Sequence, residues 1–213
     1  VTGMTITPLP PTARSAHPPL SRSRQPTASD AAHRGPATGQ AITGFMSGLR
    51  PGQRAPEIDA VSTQGERWVL SQQRGLCTVI YFFPKAFTPG CTAETKMFRD
   101  NYVELLLAGA NLVGVSTDDE RTQCDFASST RAPFPILPDA GRKICKDYDV
   151  LWPVLGVAQR YTFVVGPGRV IDSVFHHELQ VGRHRDDVLR RVNELFKRDN
   201  LAGGATVPSY RLR

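Results

Sequence analysis

The chain has 213 residues, of which 40% are hydrophobic and 22% are charged, a composition typical of a soluble globular protein with one domain of ordinary size. No apolar run approaches the roughly eighteen residues needed to cross a bilayer, so the sequence predicts no membrane partner. The formal net charge is +6, and half of this excess lies in residues 1–45. The remainder is only mildly basic and has no dense Lys/Arg cluster interleaved with aromatic residues, so a nucleic-acid partner is not expected.

Residues 1–45 are rich in Pro, Ala, Ser, Thr and Arg and contain almost no large apolar side chains. Such a segment cannot bury enough surface to offset its chain entropy, so we predict that it is disordered. Three interpretations stay open: an over-extended gene start, since the chain begins with valine and Met46 would suit the start of the domain; a tail without function; or an organellar transit peptide, which the Arg/Ser richness resembles. The predicted domain spans 46–200, and 201–213 is a C-terminal tail.

From residue 58 onward, strand signals alternate with helix signals, which favours an α/β sheet covered by helices. The run LCTVIYFF at 76–83 is apolar or β-branched throughout, which predicts a central strand buried on both faces. In chain order, the predicted elements are strands at 58–61, 68–70 and 76–83, a helix at 91–108, a strand at 111–116, helices at 119–130 and 140–148, strands at 161–165 and 170–175, and a helix at 185–198.

The four cysteines, Cys77, Cys91, Cys124 and Cys145, have neither the paired spacing of a zinc site nor the density of a secreted disulfide scaffold. They fit reduced thiols in the cytosol, so a cytoplasmic protein with a catalytic thiol is predicted. His176 and His177 are interpreted as surface histidines rather than metal ligands, because no carboxylates or cysteines cluster near them.

Cys91 follows a predicted buried strand and a short loop, and it falls in the first turn of a helix. Thr88 suits the N-cap position and Pro89 suits the first helical position. The unpaired N–H groups and the dipole at a helix start favour an anion, so the thiol is expected to be substantially thiolate, its reactive form. The alternative is a cysteine that only packs as a small hydrophobic side chain, which is the commoner fate of a free cysteine. The position of Cys91 alone does not decide between a reactive thiolate and a packed cysteine.

The sequence PKAFTPGCT at 84–92 resembles the active-site signature of peroxiredoxins, in which Pro, three residues, Thr and two more residues precede the reactive Cys. The form TPGCT followed by Ala-Glu is similar to the subgroup called peroxiredoxin Q, or bacterioferritin comigratory protein. Three further stretches agree in the same order, and the resemblance covers about residues 48–198. These stretches are LVGVSTD at 112–118, PFPILPD at 133–139 and RYTFVV at 160–165.

The resemblance implies a thioredoxin-like α/β fold with a central mixed sheet flanked by helices, and reduction of hydrogen peroxide or organic hydroperoxides. Cys91 then corresponds to the peroxidatic cysteine that becomes a sulfenic acid. Thr88 would hold the peroxide, and Pro84 would shield it from water. Arg160 would stabilise the thiolate and the leaving oxygen, although without the motif it would be interpreted as a surface arginine. A thioredoxin-type dithiol would return the electrons, no cofactor is needed, and a monomer or weak dimer is implied.

The sequence departs from the resembling subgroup at Lys96, where many members have a resolving cysteine five residues after the peroxidatic one. Cys124 is our first candidate for that role, with Cys145, Cys77 or an external thiol as alternatives. Cys124 precedes the core anchor Phe126 by two residues on a helix, so it should lie nearer to solvent than to the core. Cys77 is predicted to be packed in the central strand, and the exposure of Cys145 is ambiguous.

Two other functions are conceivable for a protein with this cysteine. A disulfide oxidoreductase on this fold normally needs a CxxC pair, and Cys91 has none. A peroxide sensor or redox-relay interaction protein, which passes the oxidation of Cys91 to a partner, stays open.

Overall fold

The predicted alternation of strands and helices is present in the structure, a computed structural model that describes residues 49–176 and 181–203, without the side chains of 181–184. The predicted disordered segment at 1–45, His177 and most of the C-terminal tail lie outside the described residues. The elements are β1 (Asp59–Val61), β2 (Arg67–Val69), β3 (Cys77–Phe82), α1 (Pro89–Asp100), α2 (Tyr102–Leu107), β4 (Ala110–Ser116), α3 (Glu120–Thr130), β5 (Ile136–Pro138), α4 (Lys143–Asp147), β6 (Tyr161–Val165), β7 (Ile171–His176) and α5 (Val181–Leu201).

Five strands form one mixed sheet in the order β5-β4-β3-β6-β7, and β1 and β2 form a separate antiparallel hairpin. Strand β3 is central, as predicted: it pairs in parallel with β4 and antiparallel with β6. All six of its residues are buried, because helices or other chain segments cover both faces of the sheet. Within the described residues, no helix is long and apolar enough to cross a membrane.

Alternate residues of β3 supply two separate apolar cores. Ile80 and Phe82 lie in the core that includes Trp68 of the hairpin and Tyr148, which follows α4. On the other face, Val79 and Tyr81 belong to the core that also contains residues of α1, α2, α3 and α5. The members of this second core on those helices are Cys91, Phe98, Leu105, Phe126, Val188, Val192 and Leu195.

The sheet topology brings distant parts of the chain to one edge. Because β3 and β4 are parallel, the loops that follow them begin at the same end of the sheet. Strand β6 runs in the opposite direction, and its first residue, Tyr161, is paired with Phe82 at the end of β3. Arg160 therefore lies beside the loop that leads into α1.

Two predicted helices differ from the structure, and one strand was not predicted. The single helix expected at 91–108 is two helices, because Asn101 leaves the helical conformation and its side-chain amide donates to the Met97 carbonyl at 2.8 Å. Strand β5 was not predicted, since three residues ending in proline carry too little periodicity. Helix α4 begins at Lys143 rather than residue 140, because Arg142 adopts a left-handed backbone with φ of 58°.

Candidate active site

Cys91 is the third residue of α1 and is only 1% exposed. Its sulfur contacts the guanidinium of Arg160, whose Nη2 donates a hydrogen bond to Sγ over 3.4 Å. The two residues predicted to form the centre of the site are therefore brought together. A permanently charged guanidinium therefore lies next to the sulfur, where it can stabilise negative charge that develops during a reaction.

Thr88 occupies the N-cap position of α1 and Pro89 the first helical position, as predicted. The Thr88 carbonyl accepts the N–H of Thr92 at 2.9 Å. Its hydroxyl does not cap the helix but donates to the carbonyl of Lys85 at 3.0 Å. The side chain of Thr88 thus leaves the amides of the first turn to other acceptors. Pro84, at the start of the same loop, is half-buried.

Arg160 also forms an ion pair with Glu94, since its Nη1 donates to Glu94 Oε2. The Glu94 side chain is fully buried and the Arg160 side chain is 6% exposed, so both charges are removed from water. Buried charges are tolerated when they are paired, and this pair fixes the guanidinium between a carboxylate and a sulfur. Sequence reasoning did not identify Glu94 as a site residue. Its position three residues after Cys91, on the same helix face, was the available signal.

Gly90 allows Arg160 to approach the helix. A Cβ atom at this position would lie 3.2 Å from Arg160 Nη2, closer than most carbon contacts. The absence of a side chain at Gly90 therefore gives the guanidinium its place beside Cys91.

Aromatic side chains form the inner wall behind Cys91. Tyr81 is fully buried, its ring lies 4.7 Å from that of Phe98, and its hydroxyl hydrogen-bonds with Thr95 over 3.2 Å. Burial raises the pKa of Tyr81 well above its usual range, so the phenol stays neutral. The wall therefore keeps water from the inner side of Cys91, and the neutral phenol of Tyr81 does not act as a base there.

Comparison with known proteins identifies the family of this chain. A model of the AhpC/TSA family matches residues 51–174. The chain belongs to that family. It is 32% identical over 161 residues to the chloroplastic peroxiredoxin Q of Populus jackii, covering 75% of this chain and 76% of the relative. It is a peroxiredoxin, a thiol-dependent peroxidase.

Two solved structures agree with this fold. The peroxidoxin BcpB of Mycobacterium tuberculosis is 31% identical, with a TM-score of 0.64 over 68% of this chain and 97% of that one. The bacterioferritin comigratory protein of Xanthomonas campestris is 28% identical, with a TM-score of 0.60 over 65% of this chain and 92% of that one. The predicted family, the thioredoxin-like fold and the peroxidase activity are confirmed.

The other three cysteines of this peroxiredoxin differ in their surroundings, and all four thiols are free. Cys77 is 3% exposed, and burial raises its pKa to about 12. Cys145 is fully buried, and burial followed by the Asp139 carboxylate raises its pKa well above the usual range. Cys124 is half-buried on α3, two residues before the fully buried Phe126. Cys124 was predicted to lie nearer to solvent than to the core, and it is partly exposed. Cys145, whose exposure the sequence left ambiguous, is buried.

Among the residues that the structure describes, no group of three His, Cys, Asp or Glu side chains could hold a metal ion. His176 is exposed at the end of β7, where its ring stacks on Tyr161 with centroids 4.2 Å apart.

Proposed function

We propose that this peroxiredoxin reduces hydrogen peroxide and organic hydroperoxides with Cys91 as the nucleophile. The observation that carries the proposal is the 3.4 Å contact between Arg160 Nη2 and Cys91 Sγ in the first turn of α1. The helix start and the guanidinium both place positive charge beside a sulfur from which water is almost completely excluded. The X. campestris relative, whose structures address alkyl peroxide reduction, supports the inclusion of organic hydroperoxides.

In the proposed reaction, the Cys91 sulfur attacks the terminal oxygen of the peroxide. An S–O bond forms as the O–O bond breaks, and the leaving oxygen takes up a proton and departs as water or an alcohol. Arg160 stabilises the negative charge on the leaving oxygen, and Glu94 keeps the guanidinium oriented towards it. Thr88 binds the peroxide through its hydroxyl, and Pro84 shields the loop side from water.

We further propose that Cys124 resolves the sulfenic acid. Its thiol would attack the Cys91 sulfur, forming a disulfide and releasing water, and a thioredoxin-type dithiol would then reduce the disulfide. Two observations support Cys124 over the other thiols: it is half-buried, whereas burial raises the pKa of both Cys77 and Cys145. Structures of the X. campestris relative include serine variants at two different cysteines. Because the Cys91 sulfur is almost completely buried, and bridged Cα atoms must come within about 7 Å, partial unwinding of α1 or α3 belongs to this proposal.

The proposed setting is a reducing compartment such as the cytoplasm, in which the chain acts as a monomer or weak dimer. The four free thiols support a reducing setting. The proposed partners are a hydroperoxide and a thioredoxin-type reductant, without nucleic acid or membrane.

One oxidation experiment tests both cysteine assignments. The full chain is treated with one equivalent of hydrogen peroxide, alkylated rapidly and mapped by mass spectrometry. We expect a Cys91–Cys124 disulfide, no peroxide consumption by C91S, and a lasting sulfenic acid in C124S; C145S serves as the matched control with wild-type behaviour. Retained turnover in C91S would refute the nucleophile. A persistent sulfenic acid with Cys124 free in the unaltered chain would refute the resolving role and favour an external thiol.

A further inference from the structure

Asp118, in the loop after β4, connects two elements that the peroxidase reaction uses. Its Oδ2 atom accepts hydrogen bonds from the backbone N–H of Ala86 at 2.8 Å and from the Ser116 hydroxyl at 2.7 Å. The side-chain amide of Gln123 donates to the same oxygen at 3.1 Å. One carboxylate oxygen thus joins the loop before α1, the end of β4 and the first turn of α3.

On the loop side, Asp118 holds the residue that precedes a strained position. Ala86 is 5% exposed, and Phe87 after it has φ of 63°, the left-handed region that a bulky residue seldom adopts. Such a conformation persists only where its surroundings fix it. The Asp118–Ala86 hydrogen bond and the contact of the Phe87 ring with Phe126, at 5.4 Å between centroids, supply that restraint. Thr88 and the start of α1 follow directly.

On the helix side, Asp118 holds the residue that precedes Cys124. Gln123 is fully buried, and its Nε2 donates to Asp118, whereas its Oε1 has no hydrogen-bond partner within the described part of the chain. The carboxylate is therefore the group that orients this amide. Because Gln123 and Cys124 are consecutive, the same contact anchors the backbone that carries Cys124.

We propose that Asp118 is a positioning residue that holds the peroxide-binding loop and the first turn of α3 in the arrangement of the reduced enzyme. It thereby speeds the attack of Cys91 on peroxide. It also slows the next step, because the Cys91 sulfur is only 1% exposed and becomes accessible to Cys124 after the loop or α3 moves away. This second effect rests on the resolving role proposed for Cys124.

The test separates the two steps. The first measurement is the rate constant for sulfenic acid formation on Cys91, by stopped-flow fluorescence, in chains that carry C124S so that resolution cannot contribute. We expect D118A to be slower by about tenfold or more and D118N by about threefold, since loss of precise alignment is costly to reaction rates. D119A is the matched control: Asp119 is exposed and caps the same helix by accepting the Thr122 N–H at 2.8 Å, without touching Ala86. It should stay within about twofold of the parent rate.

The second measurement follows conversion of the sulfenic acid to the disulfide with Cys124 present. Here D118A should be several-fold faster than the unaltered chain, and D119A should show a smaller change. A residue with a merely structural role would not move the two steps in opposite directions.

Equal rates of sulfenic acid formation in D118A and D119A would overturn the proposal. If D118A does not fold, the isosteric D118N is measured instead. An unchanged rate of sulfenic acid formation in D118N would likewise overturn the proposal. If C124S alone leaves the fate of the sulfenic acid unaltered, the resolving role fails, while the first measurement still decides the role of Asp118 at the loop.

Discussion

Two cysteines of this chain occupy the same position in a helix and have opposite surroundings. Cys91 is the third residue of α1 and Cys145 is the third residue of α4. Both are buried, one in each of the two cores that flank the sheet. A helix start and burial are therefore common to both, so neither explains why Cys91 and not Cys145 is the proposed nucleophile.

The nearest charged group makes the difference. At α4, the Asp139 carboxylate accepts the N–H groups of Ile144 at 3.1 Å and Cys145 at 2.8 Å, so an anion already occupies the helix start. Burial first, and Asp139 second, raise the pKa of Cys145. At α1, the cation Arg160 contacts the sulfur instead. A helix start activates a thiol when no other anion accepts the N–H groups of the first turn and when a cation lies beside the sulfur.

Among changes that test the difference between Cys91 and Cys145, Arg160→Met is expected to have the largest effect. Without the cation, the rate constant of Cys91 with peroxide should fall by about 100-fold or more, since electrostatic stabilisation is a major part of such rates. The Glu94 carboxylate would also remain buried without its partner, which should lower the free energy of unfolding by about 3–5 kcal/mol. Stopped-flow oxidation and urea unfolding measure the two effects.

The double variant Arg160→Met with Glu94→Gln separates reactivity from stability. Removing both charges should restore most of the unfolding free energy and leave the reaction slow. Recovery of the rate in the double variant would mean that Arg160 acts through folding and not on the sulfur.

The residues that precede Cys91 and Cys145 also differ. A change at the first of them, Gly90→Ala, is expected to have a smaller effect than the loss of Arg160. Ile144 precedes Cys145, whereas Gly90 leaves room for Arg160, 3.2 Å from where a Cβ would lie. The added methyl should displace the guanidinium and slow peroxide reduction about fivefold, while alanine in a helix costs about 1 kcal/mol less than glycine. Gly141→Ala, which adds a methyl into open space, is the control for steady-state assays. Equal activity of the two variants would contradict the proposed fit.

The smallest effect concerns the pH dependence of stability. Unfolded thiols lose their protons near pH 8.5, whereas the buried Cys77 keeps its proton up to its raised pKa of about 12. In that interval the unfolded state binds fewer protons, so the unfolding free energy falls as pH rises, by about 1.4 kcal/mol per pH unit for each such thiol. Burial raises the pKa of Cys145 as well, so it adds a similar term.

Cys145→Ala and Cys77→Ala should each reduce the loss of unfolding free energy between pH 9 and pH 10 by about 1 kcal/mol, because the unfolded thiol is only partly ionised at pH 9. Denaturant unfolding at the two pH values measures the difference. A loss as large as that of the unaltered chain would mean that the thiol is ionised in the folded state at pH 10, contrary to its raised pKa.

The features that the sequence predicted correctly have local causes. Strand β3 was recognisable because all six of its residues are buried, which produces an uninterrupted apolar run. The start of α1 was recognisable because Thr88 and Pro89 carry the preferences of a helix start in themselves. In contrast, Asn101 ends α1 through a side-chain bond to its own helix, which apolar spacing does not reveal.

The features that were missed depend on contacts between distant residues. Glu94 is buried because Arg160, 66 residues later, neutralises it. Asp118 acquires its place from an amide 32 residues earlier. Arg160 itself was found only through resemblance to a family, since its place at the site follows from the pairing of Tyr161 with Phe82 across two antiparallel strands. Local propensity carries no information on such pairings.

The separation of Cys91 and Arg160 along the chain has a consequence during protein synthesis. The two residues are 69 positions apart, and a ribosome adds about 5–20 residues per second. The proposed nucleophile therefore exists for about 3–14 s before its cation has been made. On the proposed mechanism, the nascent chain acquires peroxide reactivity only when β6 has emerged and paired with β3, which brings Arg160 to Cys91.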